Sequence, residues 1–412
     1  MKQMTQMIYY EIKKIFSQHS AKLALLLLCV TLGVTTFLTV HSVSWIDEQG
    51  EKTAGPSAAQ KLRAARKEWA GYVDEDVIRR VIEENARVNA TTEAQSSNVV
   101  QQEIAFSKKQ GFYDIRMMIA RSFSGFRELD YYLPDSLTPE DASRFYPNRM
   151  AQLTEWLDGE AKDTFSESER EWIIQKYQEL PTPLWYDYAE GWLNLQTYSA
   201  TIIMISLLIL VFPIAGIFSG EAAQKADAIF FSTYHGRRRA VLAKLCAGFL
   251  VITGTYWTMM LIYTAVTLGL LGTDGADCLI AVFRWKTLYE LTNGQAYALI
   301  VLGGYLGCLF MLLLAMLVSA KTKSTAFAVT IPFFLMFAPG FLSGSHNAML
   351  TKLIGLLPDQ LLQMNTVFSL FSLYRVGTHI CRSAPLLFAI YPAACILLLP
   401  LIYRVFRRTQ VA

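Results

Sequence analysis

Charge is scarce in this sequence. Of its 412 residues, 17% are Asp, Glu, Lys or Arg, where a soluble domain carries about 25%. Six stretches have none at all: 23–46, 191–220, 245–273, 291–320, 324–351 and 383–403. A membrane crossing needs about 20 consecutive apolar residues, so each run suits one span. Ion- and proton-coupled transporters keep an ionisable group near the bilayer midplane. The uncharged span centres therefore argue against that class and against a membrane-embedded acid–base enzyme.

Catalytic motifs are missing as well. There is no GxxxxGK[ST] phosphate loop, no HExxH and no GxSxG. The chain is read as a non-enzyme that binds no cofactor, no metal and no nucleic acid. Its five histidines (His19, His41, His235, His346 and His379) share no ligand spacing. Its six cysteines contain no CxxC, and the long polar region between the first two runs has none. A Cys278–Cys381 disulfide stays open, because spacing alone does not fix its geometry.

What remains is apolar: 53% hydrophobic residues and a mean hydropathy of +0.29. The net charge of +3 conceals two unlike parts. Residues 44–195 hold 18 Lys/Arg and 27 Asp/Glu, a net of −9, and the rest of the chain carries +12. The expected fold is an all-α polytopic membrane protein with six transmembrane helices, an N-terminal interfacial helix, and a mainly helical external domain between helices 1 and 2. The expected boundaries are 1–20 for the interfacial helix and 21–46, 193–218, 241–272, 294–320, 324–346 and 384–404 for the spans. The external domain is placed at 47–192, a cytoplasmic loop at 219–240, and re-entrant outer-leaflet helices at 353–374. The first run is too long for a signal-peptide core and has no clear cleavage site after it, so it reads as an uncleaved anchor.

In residues 1–20, Met4, Met7, Ile8, Ile12 and Ile15 recur at helical spacing, with Glu11, Lys13 and Lys14 assigned to the other side. In the domain, Val77, Ile78, Val81, Ile82 and Val88 follow Asp74 with the same period, and Ser166 with Glu169 forms a capping box. Trp185, Tyr186, Tyr188 and Trp192 fit an interfacial aromatic belt or a local core. Gly216/Gly220, Gly303/Gly307 and Gly340/Gly344 each make GxxxG, which permits close helix contact.

Orientation follows from basic residues near the span ends. Fourteen Lys/Arg fall on the side of the termini, and five (Arg284, Lys286, Lys352, Arg375 and Arg382) fall in short loops opposite. The positive-inside rule then puts both termini in the cytoplasm and 47–192 outside the cell.

The loop SGEAAQKADAIFFSTYHGRRRAVLAK, 219–244, carries the functional signal. Glu221, Lys225 and Asp227 alternate with Ile229, Phe230 and Phe231 in a short amphipathic pattern that Gly236 ends. Arg237, Arg238, Arg239 and Lys244 then suit an anionic membrane surface, and Glu221 also suits a helix N-terminus. An acidic residue soon after span two, a polar helix, a small-residue turn, an arginine and a lysine entering span three together resemble the first cytoplasmic loop of type-2 ATP-binding-cassette exporter permeases. The six spans, the N-terminal helix and the semi-apolar stretch before span six are similar too, and the large insert resembles that of bacterial members with an external domain.

The resemblance implies that 221–231 docks on a separate cytoplasmic ATPase subunit, which holds the ATP and Mg. It implies a dimer with a second copy or a paralogue in the plasma membrane, and export of an amphipathic substrate: a lipid, a peptide or an antibiotic. The rival reading is a non-transporting receptor or sensor whose external domain binds a ligand and signals through 219–244.

Overall fold

A computed structural model of the chain describes residues 2–223, 238–342 and 348–407. It is 73% helix and 5% strand. Six helices are long and apolar enough to cross a membrane: α2 (His19–His41), α10 (Glu190–Ala223), α11 (Arg239–Leu271), α13 (Asn293–Thr322), α14 (Thr325–Leu342) and α18 (Ser383–Arg407). At 1.5 Å per residue even the 18-residue α14 approaches the ~30 Å hydrocarbon thickness.

Boundaries shift where polar residues find partners. The first span ends at His41 rather than 46, because Ser44–Ile46 forms strand β1, paired with β2 (Lys52–Ala54). The second begins at Glu190 and continues to Ala223, so Ser219 and Glu221 belong to its helix and not to a loop.

α10 and α13 form the centre of the bundle. Of their most apolar windows 61% and 67% is buried, against 22% for α14 and α18, which form the periphery. Gly304 of α13 makes the close approach possible: a Cβ there would lie 2.5 Å from Ile203 of α10 and 2.7 Å from the Tyr256 hydroxyl of α11. That hydroxyl donates to the Val301 carbonyl at 2.7 Å.

Of the three GxxxG pairs, Gly303/Gly307 makes a tight contact, but with no spanning helix. It faces Leu361, Leu362 and Met364 of the short helices α16 (Asp359–Leu362) and α17 (Met364–Val367). Together with α15 (Ala348–Ile354), these interrupt the chain before a β5–β6 hairpin (Leu373–Val376 and His379–Arg382). They reach Gly307, fourteen residues or ~21 Å along α13 from Asn293. At Gly216 and Gly220 a Cβ would meet nothing closer than 3.8 Å, and Gly344 lies outside the described residues.

α1 (Lys2–Ser17) breaks at the extended Gln18 and lies on the start of α11.

The insert contains α3 (Pro56–Lys67), α4 (Glu75–Asn89), α5 (Thr92–Gln95), α6 (Val99–Ser107), α7 (Tyr113–Phe123), α8 (Phe145–Asp158) and α9 (Glu167–Gln178). A two-residue ribbon, β3 (Gly71–Tyr72) with β4 (Trp185–Tyr186), ties its two ends together. Asp74 caps α4 through the Val77 N–H at 3.0 Å, and Ser166 with Glu169 forms the capping box of α9. Ile78, Val81, Ile82 and Val88 are buried.

The insert's core borrows from outside its own segment. Val282 (in α12, Ile280–Phe283) and Trp285 pack with Ile78, Ile115, Phe145 and Tyr186. The aromatic approach to α10 is divided: Tyr186 and Tyr188 are buried in cores, whereas Trp185 is 45% exposed. All six cysteines are free, with Cys278 buried and Cys381 half-buried, so the two do not pair.

Candidate functional site

The ends of α10 and α11 on either side of residues 224–237 carry a polar knot inside an otherwise apolar bundle. Ser319, near the end of α13, places its hydroxyl between two backbone groups of α10. It accepts from the Ser219 N–H at 3.1 Å and donates to the Ala215 carbonyl. An α-helix pairs those two groups with each other, so the Ser319 hydroxyl bonds to both members of one helical turn of α10. The Ser219 hydroxyl reaches the Ala215 carbonyl at 3.1 Å and Thr325 Oγ1, at the start of α14, at 2.7 Å. Three helices thus meet at one turn of α10.

Lys244 completes the knot from α11. It was expected at a membrane surface and is instead fully buried. Its Nζ donates to the Ile217 carbonyl at 3.0 Å and pairs with Glu11 Oε2 of α1 at 3.3 Å. Burial of an ammonium is tolerable only with such partners. Glu11 therefore faces the bundle and not the polar side assigned to it. The signal was present: Glu11 stands three residues after Ile8 and four before Ile15, on the same helical stripe.

Arg238 and Arg239 are exposed, and Arg239 donates to Gln3 Oε1 at 3.0 Å. Cations at the N-terminus of α11 oppose its macrodipole, and its first turn holds no acidic residue. Of the remaining predicted loop residues, Glu221 lies in the last turns of α10. Lys225, Asp227, Ile229, Phe230, Phe231 and Arg237 lie outside the described residues.

The opposite ends of the same two helices are clamped to the insert through α3. Arg66 pairs with Asp114 of α7 at 2.9 Å and with Glu190, the first residue of α10, at 2.7 Å. Burial works against the Arg66 charge, but Asp114 and Glu190 outweigh it and hold the guanidinium above its ordinary value. The Tyr186 hydroxyl donates to Asp114 at 3.0 Å. One turn away on α3, Arg63 and Lys67 grip Asp274, just beyond α11, at 2.6 and 2.8 Å. Burial would raise the Asp274 carboxyl, yet hydrogen bonds from Lys67 and Arg63 prevail and lower it. The buried Tyr188 donates to the Leu271 carbonyl at the end of α11, at 2.9 Å. No pattern in the sequence foretold these pairs, because the partners are separated by 48 to 211 residues.

α10 spans ~44 Å from Glu190 to Ser219, and α11 ~40 Å from Lys244 to Leu271. Both are held at each end by hydrogen-bonded charges and packed along their length. Between its two ends α10 contains Pro213, where one helical hydrogen bond is absent. Among the described residues, no group of three or more His, Cys, Asp or Glu is placed to hold a metal.

No protein-family model, curated protein or solved structure matches this chain.

Proposed function

We propose that the chain is the membrane subunit of an ATP-driven transporter of the ATP-binding-cassette type, most simply an exporter of amphipathic molecules. The carrying observation is the pair of long helices α10 and α11, each tied to neighbouring elements near both ends. They emerge at the 219–240 loop from the Ser219–Ser319 and Lys244–Glu11 knot and end on the Arg66 and Asp274 clamps of the insert. A separate ATPase, which holds the ATP and Mg, pushes on the loop through Glu221 and the residues that follow it. α10 and α11 carry that displacement to the insert and to the path between two permease copies, whether identical or paralogous.

In this proposal both termini are cytoplasmic and the insert is extracellular. The charge bias supports it, and so does the fate of the five basic residues on the minority side. Lys352 pairs with Glu169 at 3.2 Å, Arg375 donates to Ser168 at 2.5 Å and Lys286 donates to the Gly125 carbonyl at 3.0 Å. Arg284 binds Asn365, and Arg382 donates to the Leu288 carbonyl at 2.6 Å. Each has a protein partner, so none is needed to anchor a cytoplasmic surface.

The clamps also favour a second reading, in which the insert is a receptor and α10 and α11 relay its state inward. Pull-down of the full chain in detergent separates the two. Co-purification of an ATPase, lost with Glu221→Arg, supports the transporter. A folded natural chain that captures no ATPase removes it and leaves the sensor.

A further inference from the structure

We propose that the cleft between the 124–130 loop of the insert and residues 283–287 binds a phosphate-bearing group. Arg121 and Arg127 enter this cleft from the insert, and Arg284 and Lys286 enter it from the segment between α12 and α13. The cavity is about 330 Å³, enough for a phosphomonoester or the head of a phospholipid. Four cations converge here, two from the insert, whose residues 44–195 carry a net −9, and two from the segment before α13.

Their partners hold them without cancelling their charge. Arg121 donates to the Phe283 carbonyl, and Lys286 donates to the Gly125 and Glu128 carbonyls at 3.0 and 3.4 Å. Arg284 donates to the carbonyl and side chain of Asn365, to Ser369 Oγ at 3.3 Å and to Gln196 Oε1 at 3.3 Å. Among the described residues, the one ion pair that any of the four makes is Arg127–Glu160, at 3.9 Å with both side chains about two-thirds exposed (67% and 69%). Glu128 is the only carboxylate that lines the cleft, and the nearby Asp114 is engaged by Arg66 and Tyr186.

The cations also strain one another. Burial, then Arg121 and Arg127, pushes the Lys286 ammonium down to about 8. Burial, then Arg121, pushes the Arg284 guanidinium down to about 10. A bound anion relieves both effects, since an opposite charge within a few ångströms favours the charged form. Guanidinium forks and an ammonium are the groups that match phosphate oxygens, bidentately and as a point charge respectively. The cleft lies where the insert meets the span ends, so a lipid headgroup and free phosphate share the required chemistry. The site stands independently of the transporter reading, because its test measures binding alone.

The test uses the full chain with two probes: inorganic phosphate, and nanodiscs of phosphatidylcholine with or without phosphatidylglycerol. Arg127→Gln/Lys286→Gln removes two cations while leaving Arg284 to hold Asn365. Each cation lost weakens anion binding about fivefold at low salt, so the pair costs on the order of twentyfold. Arg79→Gln/Arg87→Gln, an equal charge change on α4 outside the cleft, leaves binding unchanged. Arg127→Lys/Lys286→Arg retains it, which guards against a misfolded first variant.

Phosphatidylglycerol enrichment that inorganic phosphate does not mimic identifies a lipid headgroup. Stabilisation by inorganic phosphate over chloride at equal ionic strength, with a rise in the Lys286 pKa seen by 13C-methyl NMR, identifies a free phosphate compound. If neither probe is preferred over its control, or if the cleft variant binds as the natural chain does, the proposal is overturned.

Discussion

Lys244 Nζ, fully buried in α11, lies 3.3 Å from Glu11 Oε2 of the N-terminal helix, 233 residues earlier in the chain. The contact makes α1 part of the bundle's polar knot. A helix that only floated in the interface would have kept Glu11 in water. The ion pair ties α1 to α11, the helix that follows the proposed coupling segment.

The pair is expected to be energetically coupled. In a double-mutant cycle, Glu11→Gln and Lys244→Met each destabilise the chain, and the double variant loses less than the sum. The coupling is about 1–3 kcal/mol, the usual range for residues in one charge network. Thermal unfolding in one detergent at fixed salt measures it. Strict additivity would show that the pair contributes nothing to stability.

The Ser319 insertion predicts a division of labour with Glu221. Ser319→Ala removes two hydrogen bonds to α10 and costs about 1–3 kcal/mol. It loosens α10 against α13 without touching the loop's docking face. Under the proposed function, a co-purifying ATPase still binds Ser319→Ala, but its stimulation by substrate falls several-fold. Glu221→Arg abolishes binding itself. Equal loss of binding in both variants would contradict this separation.

Two glycines give opposite signs. Gly304→Ala places a methyl 2.5 Å from Ile203 and 2.7 Å from the Tyr256 hydroxyl, and overpacking of that kind costs about 1–3 kcal/mol. Gly254→Ala, in α11, meets no heavy atom within 4 Å and gains up to about 1 kcal/mol of helix propensity. Unfolding midpoints of the two variants therefore move in opposite directions from the natural chain.

Acid should loosen the insert from the span ends. For Asp274, burial raises the carboxyl, but the Lys67 and Arg63 hydrogen bonds lower it below its ordinary 3.8. For Glu169, burial again opposes, and hydrogen bonds from Ser166 and the Lys352 pair lower it below 4.5. A depressed carboxylate stabilises the folded state fully above its unfolded value. That stability is lost as pH falls through the folded value. Hydrogen-exchange protection factors in α3 and α9, corrected for the intrinsic pH dependence of amide exchange, are therefore unchanged between pH 7 and 5 and fall below about pH 4, with Asp274→Asn removing the α3 part of the response. Protection that falls as pH rises from 4 to 7 would give the wrong sign.

Much of the architecture was legible because it rests on local constraints. Six uncharged runs of twenty or more residues have no stable place but a helix bundle in an apolar solvent. Asp74, Ser166 and Glu169 announced their helix starts because a cap needs only a side chain and the next few N–H groups. The aromatics before α10 could be read either as a belt or as a core. Tertiary packing divided them: Tyr186 joined the insert's core, and Tyr188 closed on Leu271.

The site was legible in outline and not in its connections. The sequence marked 219–244 by its residue types. It misplaced Lys244 at a surface, because four flanking basic residues look alike in one dimension. Whether a lysine is buried depends on which helix covers it and what that helix offers. The same holds for Arg66, whose two carboxylates come from α7 and α10, and for the four cations of the junction cleft, drawn from segments more than 150 residues apart.

By itself the sequence determined the number of apolar helices, their approximate extents, the acidic insert and the starts of α4 and α9, since transfer energies and capping act over a few residues. Only the tertiary structure decided which charges are buried, which glycines carry close contacts and how the insert grips α10 and α11. Those outcomes depend on juxtaposing distant segments, and the low dielectric created by that packing sets the cost of every unpaired charge.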